Sequence, residues 1–182
     1  MKIFVLLAPG FEESEAVILI DIFRRANYEV KTISITNQKE VTSSRNITIV
    51  ADEIFDNVDF NELDMLFLPG GMPGTKNLTE SEKVITLVKE LFVKDKYLAA
   101  ICAAPSVLEK AGVLKGKRAT AYPGWDEKLV SAIVEKKGVV VDGKIITARA
   151  FGSAIDMGLK IVEIISGKEE SEKLRQAIVY QI

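Results

Sequence analysis

The chain contains no histidine. That absence removes the commonest general base and the commonest metal ligand. Any catalysis must then run on thiol, carboxyl, phenol, amine or guanidinium groups, on backbone dipoles, or on a bound cofactor. There is one cysteine, which excludes a disulfide within the chain. A lone thiol suits a reducing compartment, so a cytoplasmic protein is expected. The net charge of -2 offers no electrostatic handle for nucleic acid or an anionic membrane. No apolar run is long enough to span a bilayer. No dinucleotide fingerprint, Walker motif or metal-ligand spacing occurs. The apolar start Lys2 to Ala8 imitates a short signal peptide, but it runs into Pro9-Gly10-Phe11-Glu12-Glu13 with no small-residue cleavage site, so a buried first strand is the better reading.

What is present is a regular alternation of strand and helix patterns. Lys2 to Ala8, Tyr28 to Ile35, Met65 to Leu68 and Tyr97 to Ile101 read as strands, and Arg118 to Ala121 as a short fifth sheet strand. Several are continuous apolar runs, the sign of strands covered on both faces. Helical spacing marks Ser14 to Asn27, Ser81 to Lys94, Ala103 to Ala111, Trp125 to Lys136, Phe151 to Ile165 and Glu169 to Tyr180. Glu40 to Val50 reads as a hairpin around Ser43-Ser44-Arg45-Asn46, and Val139 to Thr147 as a second one turning at Asp142-Gly143. The 182 residues make one domain, 1–182, without repeat or linker. The expected class is α/β, a three-layer sandwich with a mostly parallel central sheet and helices on both faces. In such sheets ligands bind outside the strand C-terminal ends, which directs attention to the loops at Pro9 to Glu15, Pro69 to Thr75 and Ile101 to Pro105.

Cys102 falls in the third of these loops, between a strand and a helix, with alanines on both sides. A sharp turn that exposes a nucleophile needs small neighbours, and a helix N-terminus stabilises a thiolate. A buried, inert cysteine is the plainer alternative. Pro69-Gly70-Gly71-Met72-Pro73-Gly74 presents consecutive amides that suit an oxyanion, or simply reverses the chain. On a helical projection Glu15 shares a stripe with Leu19, Ile22 and Ala26, whereas Glu13 shares one with Asp21 and Arg24 and should face water. A carboxyl on a buried stripe is expected to hold its proton near neutral pH, unless Glu15 merely tops the helix. Arg45 and Arg149 are candidates for anionic groups, or ordinary solvated arginines. Tyr122 lies beyond a strand end. The loop after the first strand is acidic, unlike a phosphate cradle, which argues against a flavin.

Together, Pro9-Gly10-Phe11-Glu12-Glu13-Ser14-Glu15, Leu68-Pro69-Gly70-Gly71, Ala99 to Pro105 and Ile146-Thr147-Ala148-Arg149 resemble the ThiJ/PfpI superfamily, in the branch of the Parkinson-disease-associated protein deglycase. The resemblance covers nearly the whole chain. It implies a flavodoxin-like fold and a homodimer. It matches Cys102 to the family's oxidation-sensitive nucleophile, Glu15 to its conserved acid, and Gly71 and Ala103, beside Gly70, to its oxyanion-contacting backbone. Arg45 matches the arginine that family dimers bring near the site. Tyr122 stands where relatives often carry histidine, and Ala103 where the protease-like branch does, so a protease would lack its base. The implied activity is that of a glyoxalase or deglycase without cofactor or metal, acting on a small oxoaldehyde such as methylglyoxal or on its glycated adducts. The alternative is a redox sensor or redox-regulated chaperone working through oxidation of Cys102.

Overall fold

The computed structural model describes residues 1–180; the last two residues of the expected 1–182 domain lie outside the described residues. The chain opens with β1 (Lys2–Leu7), α1 (Glu13–Arg25) and β2 (Glu29–Ser34), followed by the hairpin β3 (Glu40–Thr42) and β4 (Thr48–Val50) and the short β5 (Glu53–Ile54). Then come β6 (Met65–Leu68), α2 (Gly74–Glu80), α3 (Glu82–Val93), β7 (Tyr97–Ile101) and α4 (Pro105–Lys110). The chain ends through β8 (Arg118–Ala119), β9 (Ile133–Val134), β10 (Val139–Asp142), β11 (Ile145–Ala148), α5 (Ala154–Ser166) and α6 (Lys168–Ala177).

Seven strands form one sheet in the order β10-β11-β7-β6-β1-β2-β5. All its neighbours run parallel except β10 and β11, which make the hairpin turning at Gly143. The fold is therefore mixed α/β with a mostly parallel sheet, and its inner order β2-β1-β6-β7-β11 is the flavodoxin-like one. The two-residue period of the strands decides which core each side chain joins. Ile3, Val5, Leu7, Met65, Phe67, Ala99 and Ile101 pack with Leu19, Ile22 and Phe23 of α1 and Met157, Ile161 and Val162 of α5. Phe4, Leu6, Leu66, Leu68, Leu98 and Ala100 point the other way, onto Val84, Leu87, Val88 and Leu91 of α3 and Val107 and Leu108 of α4. Because both faces are covered, β1 and β6 read as unbroken apolar runs. Among the described residues, no helix is long and apolar enough to cross a membrane.

Three expectations are corrected. The segment Trp125 to Lys136 is not a helix. The Gly124 N–H donates to Asp126 Oδ1 at 3.0 Å, a single 3-10 turn covers Asp126–Lys128, and the chain then extends into β9. There, Ile133 and Glu135 N–H groups donate to the carbonyls of Lys117 and Ala119 at 2.8 Å. The β-branched Val130, Ile133 and Val134 favour that extended pairing. Second, β8 is shorter than expected and lies outside the main sheet, paired in parallel with β9. Third, helix α2, which begins inside the expected loop Pro69 to Thr75, carries no long periodic signal. It forms because Thr75 and Leu78 are buried and the Gly74 N–H is anchored on the Gly10 carbonyl at 3.0 Å.

Candidate active site

The ends of β1, β6 and β7 lie side by side, and the loops leaving them are tied together. The Glu12 N–H donates to the Gly70 carbonyl at 2.8 Å, fixing the first loop to the second. Gly71 has φ +92°, and a Cβ there would stand 2.3 Å from the Glu12 nitrogen. No side chain fits at that crossing. At the end of β7 the chain turns sharply on Cys102, whose φ is +64°. A positive φ at a residue other than Gly, Asn or Asp is uncommon and costs about 1–3 kcal/mol, which the surroundings must offset. They do so on both sides: the Cys102 N–H donates to the Ala148 carbonyl at 2.9 Å, and the Cys102 carbonyl accepts from the Tyr122 N–H at 2.8 Å. The elbow that aims the sulfur thus also positions Tyr122.

Glu15 comes to the sulfur from the first turn of α1. It is 1% exposed, and its Oε2 accepts the Gly70 N–H at 2.9 Å. The carboxyl and the Cys102 thiol hydrogen-bond to each other. Burial raises the Glu15 carboxyl, repulsion from Glu12 adds to it, and hydrogen bonds from Gly70, Cys102 and the Phe151 backbone hold it down; the outcome is about 7. The expected carboxyl that keeps its proton near neutrality is therefore present.

The thiol departs from expectation. Burial, the Glu15 charge and the hydrogen bond to Glu15 push Cys102 up to about 12, although the backbone N–H groups of Ala103 and Gly71 pull the other way. A helix N-terminus does not win here, because α4 is only six residues long and starts three residues beyond the sulfur. The resting group is a thiol beside a carboxyl that titrates first.

Ala103 and Gly71 bring their amides to the sulfur. Gly70 does not share that role, because its N–H is committed to Glu15; a Cβ on Gly70 would lie 2.6 Å from Cys102 Cβ and 2.7 Å from Glu15 Oε2. An open cleft of about 440 Å³ sits over the sulfur. Glu15, Gly71, Cys102, Ala103, Arg45 and Tyr122 all line it. Arg149 does not. Its N–H extends the β10–β11 edge by donating to the Gly138 carbonyl at 2.9 Å, which sends the guanidinium to the Lys136 carbonyl at 3.2 Å. Among the described residues, no cluster of acidic or thiol side chains is placed to hold a metal ion.

Glu13 is a further correction at this end of the molecule. It is 8% exposed rather than facing water. The β3–β4 turn folds over it, and a projection of α1 alone carries no trace of that hairpin. Burial would raise its carboxyl, but hydrogen bonds from its own backbone, the Ser43 hydroxyl, the Arg45 backbone and the Ser44 hydroxyl together hold it below its ordinary value. The Ser44 hydroxyl reaches Glu12 Oε2 at 3.0 Å as well, so the pair of carboxylates clamps the turn that carries Arg45 to the cleft.

Sequence reasoning passed over Glu12, Ser44, Met72, Trp125 and Phe151 as cleft residues. Two signals were available: Met72 sits inside the glycine-rich loop, and Phe151 follows the last sheet strand. Trp125 was hidden by its assignment to a helix.

Comparison with known proteins agrees with this geometry. The profile of the DJ-1/PfpI family matches residues 1–164. Protein dj-1beta of Drosophila melanogaster is 38% identical over 177 residues, covering 96% of this chain and 95% of that protein. Its crystal structure superposes with a TM-score of 0.95 at 36% identity, over 100% of this chain and 98% of the other. DJ-1 of Toxoplasma gondii, solved in oxidized form, gives a TM-score of 0.95 at 34% identity, over 100% of this chain and 99% of the other. DJ-1 homolog B of Arabidopsis thaliana is 39% identical over 177 residues, and there the match spans 97% of this chain but only 40% of the longer plant protein. The chain belongs to the DJ-1/PfpI family.

Proposed function

We propose that this chain is a cysteine-dependent glyoxalase or deglycase, converting small oxoaldehydes such as methylglyoxal, or their early adducts on protein, to hydroxy acids. We place it in a reducing cytoplasm, as a homodimer with Arg45 at the site, and without a cofactor. The observation that carries the reading is a carboxyl poised at about 7 and hydrogen-bonded to a thiol on a strained elbow. A base whose affinity for protons matches the working pH transfers them most effectively in both directions.

In the first step the Cys102 sulfur adds to the aldehyde carbon. A C–S bond forms, the carbonyl electron pair moves onto oxygen, and the thiol proton passes to the ionised Glu15 carboxylate. The oxygen that gains charge is stabilised by the Gly71 and Ala103 amides, then takes the proton from Glu15 to give a hemithioacetal. Glu15 next removes the proton on that carbon and returns it to the neighbouring ketone carbon, while the hemithioacetal hydroxyl proton passes to the ketone oxygen. One carbon is thereby oxidised to a thioester and the other reduced to an alcohol. Water cleaves the thioester, releasing lactate and the thiol. The sum is methylglyoxal plus water to lactate, so no outside oxidant or reductant is required. On an adduct, the amine or thiol that carried the oxoaldehyde departs.

The test is lactate release from methylglyoxal. Cys102→Ser should abolish it, and Glu15→Gln should lower it by about 10²-fold or more. In the wild type, kcat/KM should rise with pH through about 7 as Glu15 ionises, and Glu15→Gln should flatten that rise. A serine variant that makes lactate at the normal rate refutes the reading.

A second reading is favoured by the relative from Toxoplasma gondii, whose structure is of the oxidized protein. A sulfinate at Cys102 would sit against Glu15, and the protonated acid would donate a hydrogen bond to it. This redox sensor, or redox-regulated chaperone, predicts oxygen added at Cys102 by mass spectrometry after mild peroxide.

A further inference from the structure

The cleft over Cys102 is larger than its proposed small substrate. A volume of about 440 Å³ belongs to the range of about 300–1,000 Å³ that holds drug-sized ligands, and methylglyoxal has three carbons. Its outer wall is apolar: Met72, Tyr122 and Phe151 are roughly half exposed there. Beyond Met72 and Trp125, which belong to both, lies a second groove of about 440 Å³ between α2, α4 and the turn after Tyr122. The two spaces therefore adjoin, with Met72 and Trp125 as their shared wall.

The second groove has a defined charge. Of its two carboxylates, Glu80 is paired with Lys76 at 3.8 Å, and Glu109 accepts both the N–H of Ser131 at 3.0 Å and its hydroxyl at 2.9 Å. Lys110 and Lys128 have no ion-pair partner among the described residues, and the Lys128 ammonium rests 3.5 Å from the centre of the Trp125 ring. The groove thus offers Met72 and Trp125 as apolar surface, with two positive charges at its rim that have no carboxylate partner among the described residues.

We propose that the second groove receives the polypeptide flank of an adduct-bearing protein, an apolar side chain lying on Met72 and Trp125 with an acidic residue beside it meeting Lys110 and Lys128. The modified residue would then reach Cys102 while its neighbours fill the groove. This rests on the reading of Cys102 as acting on protein adducts, and it names the adduct's sequence context: apolar and acidic. Trp125 is the residue that divides reaction from recognition.

Trp125 is also the only tryptophan in the chain, so its fluorescence reports occupancy directly. The full-length protein is titrated with an unmodified hexapeptide containing leucine flanked by aspartates, and with the same peptide carrying lysine in place of aspartate. The acidic peptide should change Trp125 emission saturably at submillimolar concentration, equally in wild type and Cys102→Ser, and the basic one should not. By calorimetry, Lys110→Glu with Lys128→Glu should weaken the acidic peptide by about tenfold, the size expected on reversing two surface charges. No saturable change, or equal binding of the basic peptide, overturns the proposal. Lactate release is measured on the same samples. Turnover without peptide binding removes the groove's role and leaves the chemistry standing; peptide binding without turnover removes the chemistry and leaves the groove.

Discussion

Glu13 and Glu15 stand two residues apart in the first turn of α1, and both are almost fully buried, yet they are pushed in opposite directions. Glu13 meets donors: its carboxylate is enclosed by hydroxyls and backbone N–H groups of the β3–β4 turn, and it is held in its charged form. Glu15 meets a sulfur, one firm backbone donor and an apolar strand end, and it is pushed up to about 7. Burial raises both. What differs is how many donors each environment supplies, and that count separates a structural carboxylate from a proton carrier. The difference also assigns the elements: the hairpin exists at this end to hold Glu13 and with it the turn of Arg45, and the end of β6 exists to hold Glu15.

The sharpest way to break the comparison is stability against pH. Glu15 rises from 4.5 to about 7 on folding. Below 4.5 it is protonated in both states and costs nothing. Between 4.5 and 7 the unfolded chain ionises while the folded one does not, so stability falls, and above 7 the loss is complete at about 3 kcal/mol. Glu15→Gln should therefore be more stable than wild type at pH 8, by an amount that vanishes near pH 4, while being catalytically impaired. Chemical denaturation at the two pH values checks this; a variant less stable at pH 8 would mean that the acid is not strained by burial. Next in size is Gly70→Ala. Its Cβ would press on both Cys102 and Glu15, and overpacking of that kind costs about 1–3 kcal/mol. Activity should fall much further than stability, because the pair itself is displaced.

The layered α/β fold, the strand ends that carry the loops, and the placing of Cys102 and Glu15 at that edge are legible in the sequence. Each rests on a pattern with a local physical cause: unbroken apolar runs for β1 and β6, alanines around a sharp turn, and a carboxyl on the apolar stripe of α1. What is not legible depends on contacts between distant segments. The burial of Glu13 comes from a hairpin some thirty residues on. The diversion of Ile133–Val134 into β9 comes from the open edge of β8. The commitment of Gly70 to Glu15 joins residues 55 positions apart, and the thiol's rise to about 12 follows from that same enclosure. Periodicity reports which face of an element is apolar; it does not report what packs against the other face.

The smallest effect concerns Glu13, and it carries the opposite sign to Glu15. A carboxyl held below its ordinary value contributes stability that is present at neutral pH and is lost as pH falls through its folded value. Glu13→Gln keeps the shape and removes the charge, so it should cost about 1 kcal/mol at pH 7, the net worth of a typical intramolecular hydrogen bond. The difference from wild type should shrink toward acid pH, where the Glu15→Gln difference has already gone. Because the Ser44 hydroxyl bridges to both Glu12 and Glu13, the lost charge should also loosen the turn at Ser43–Asn46, read as faster amide hydrogen exchange at Ser44 and Arg45. If exchange there is unchanged while stability falls, Glu13 supports α1 alone, and the division of labour between the two carboxylates is narrower than their geometry implies.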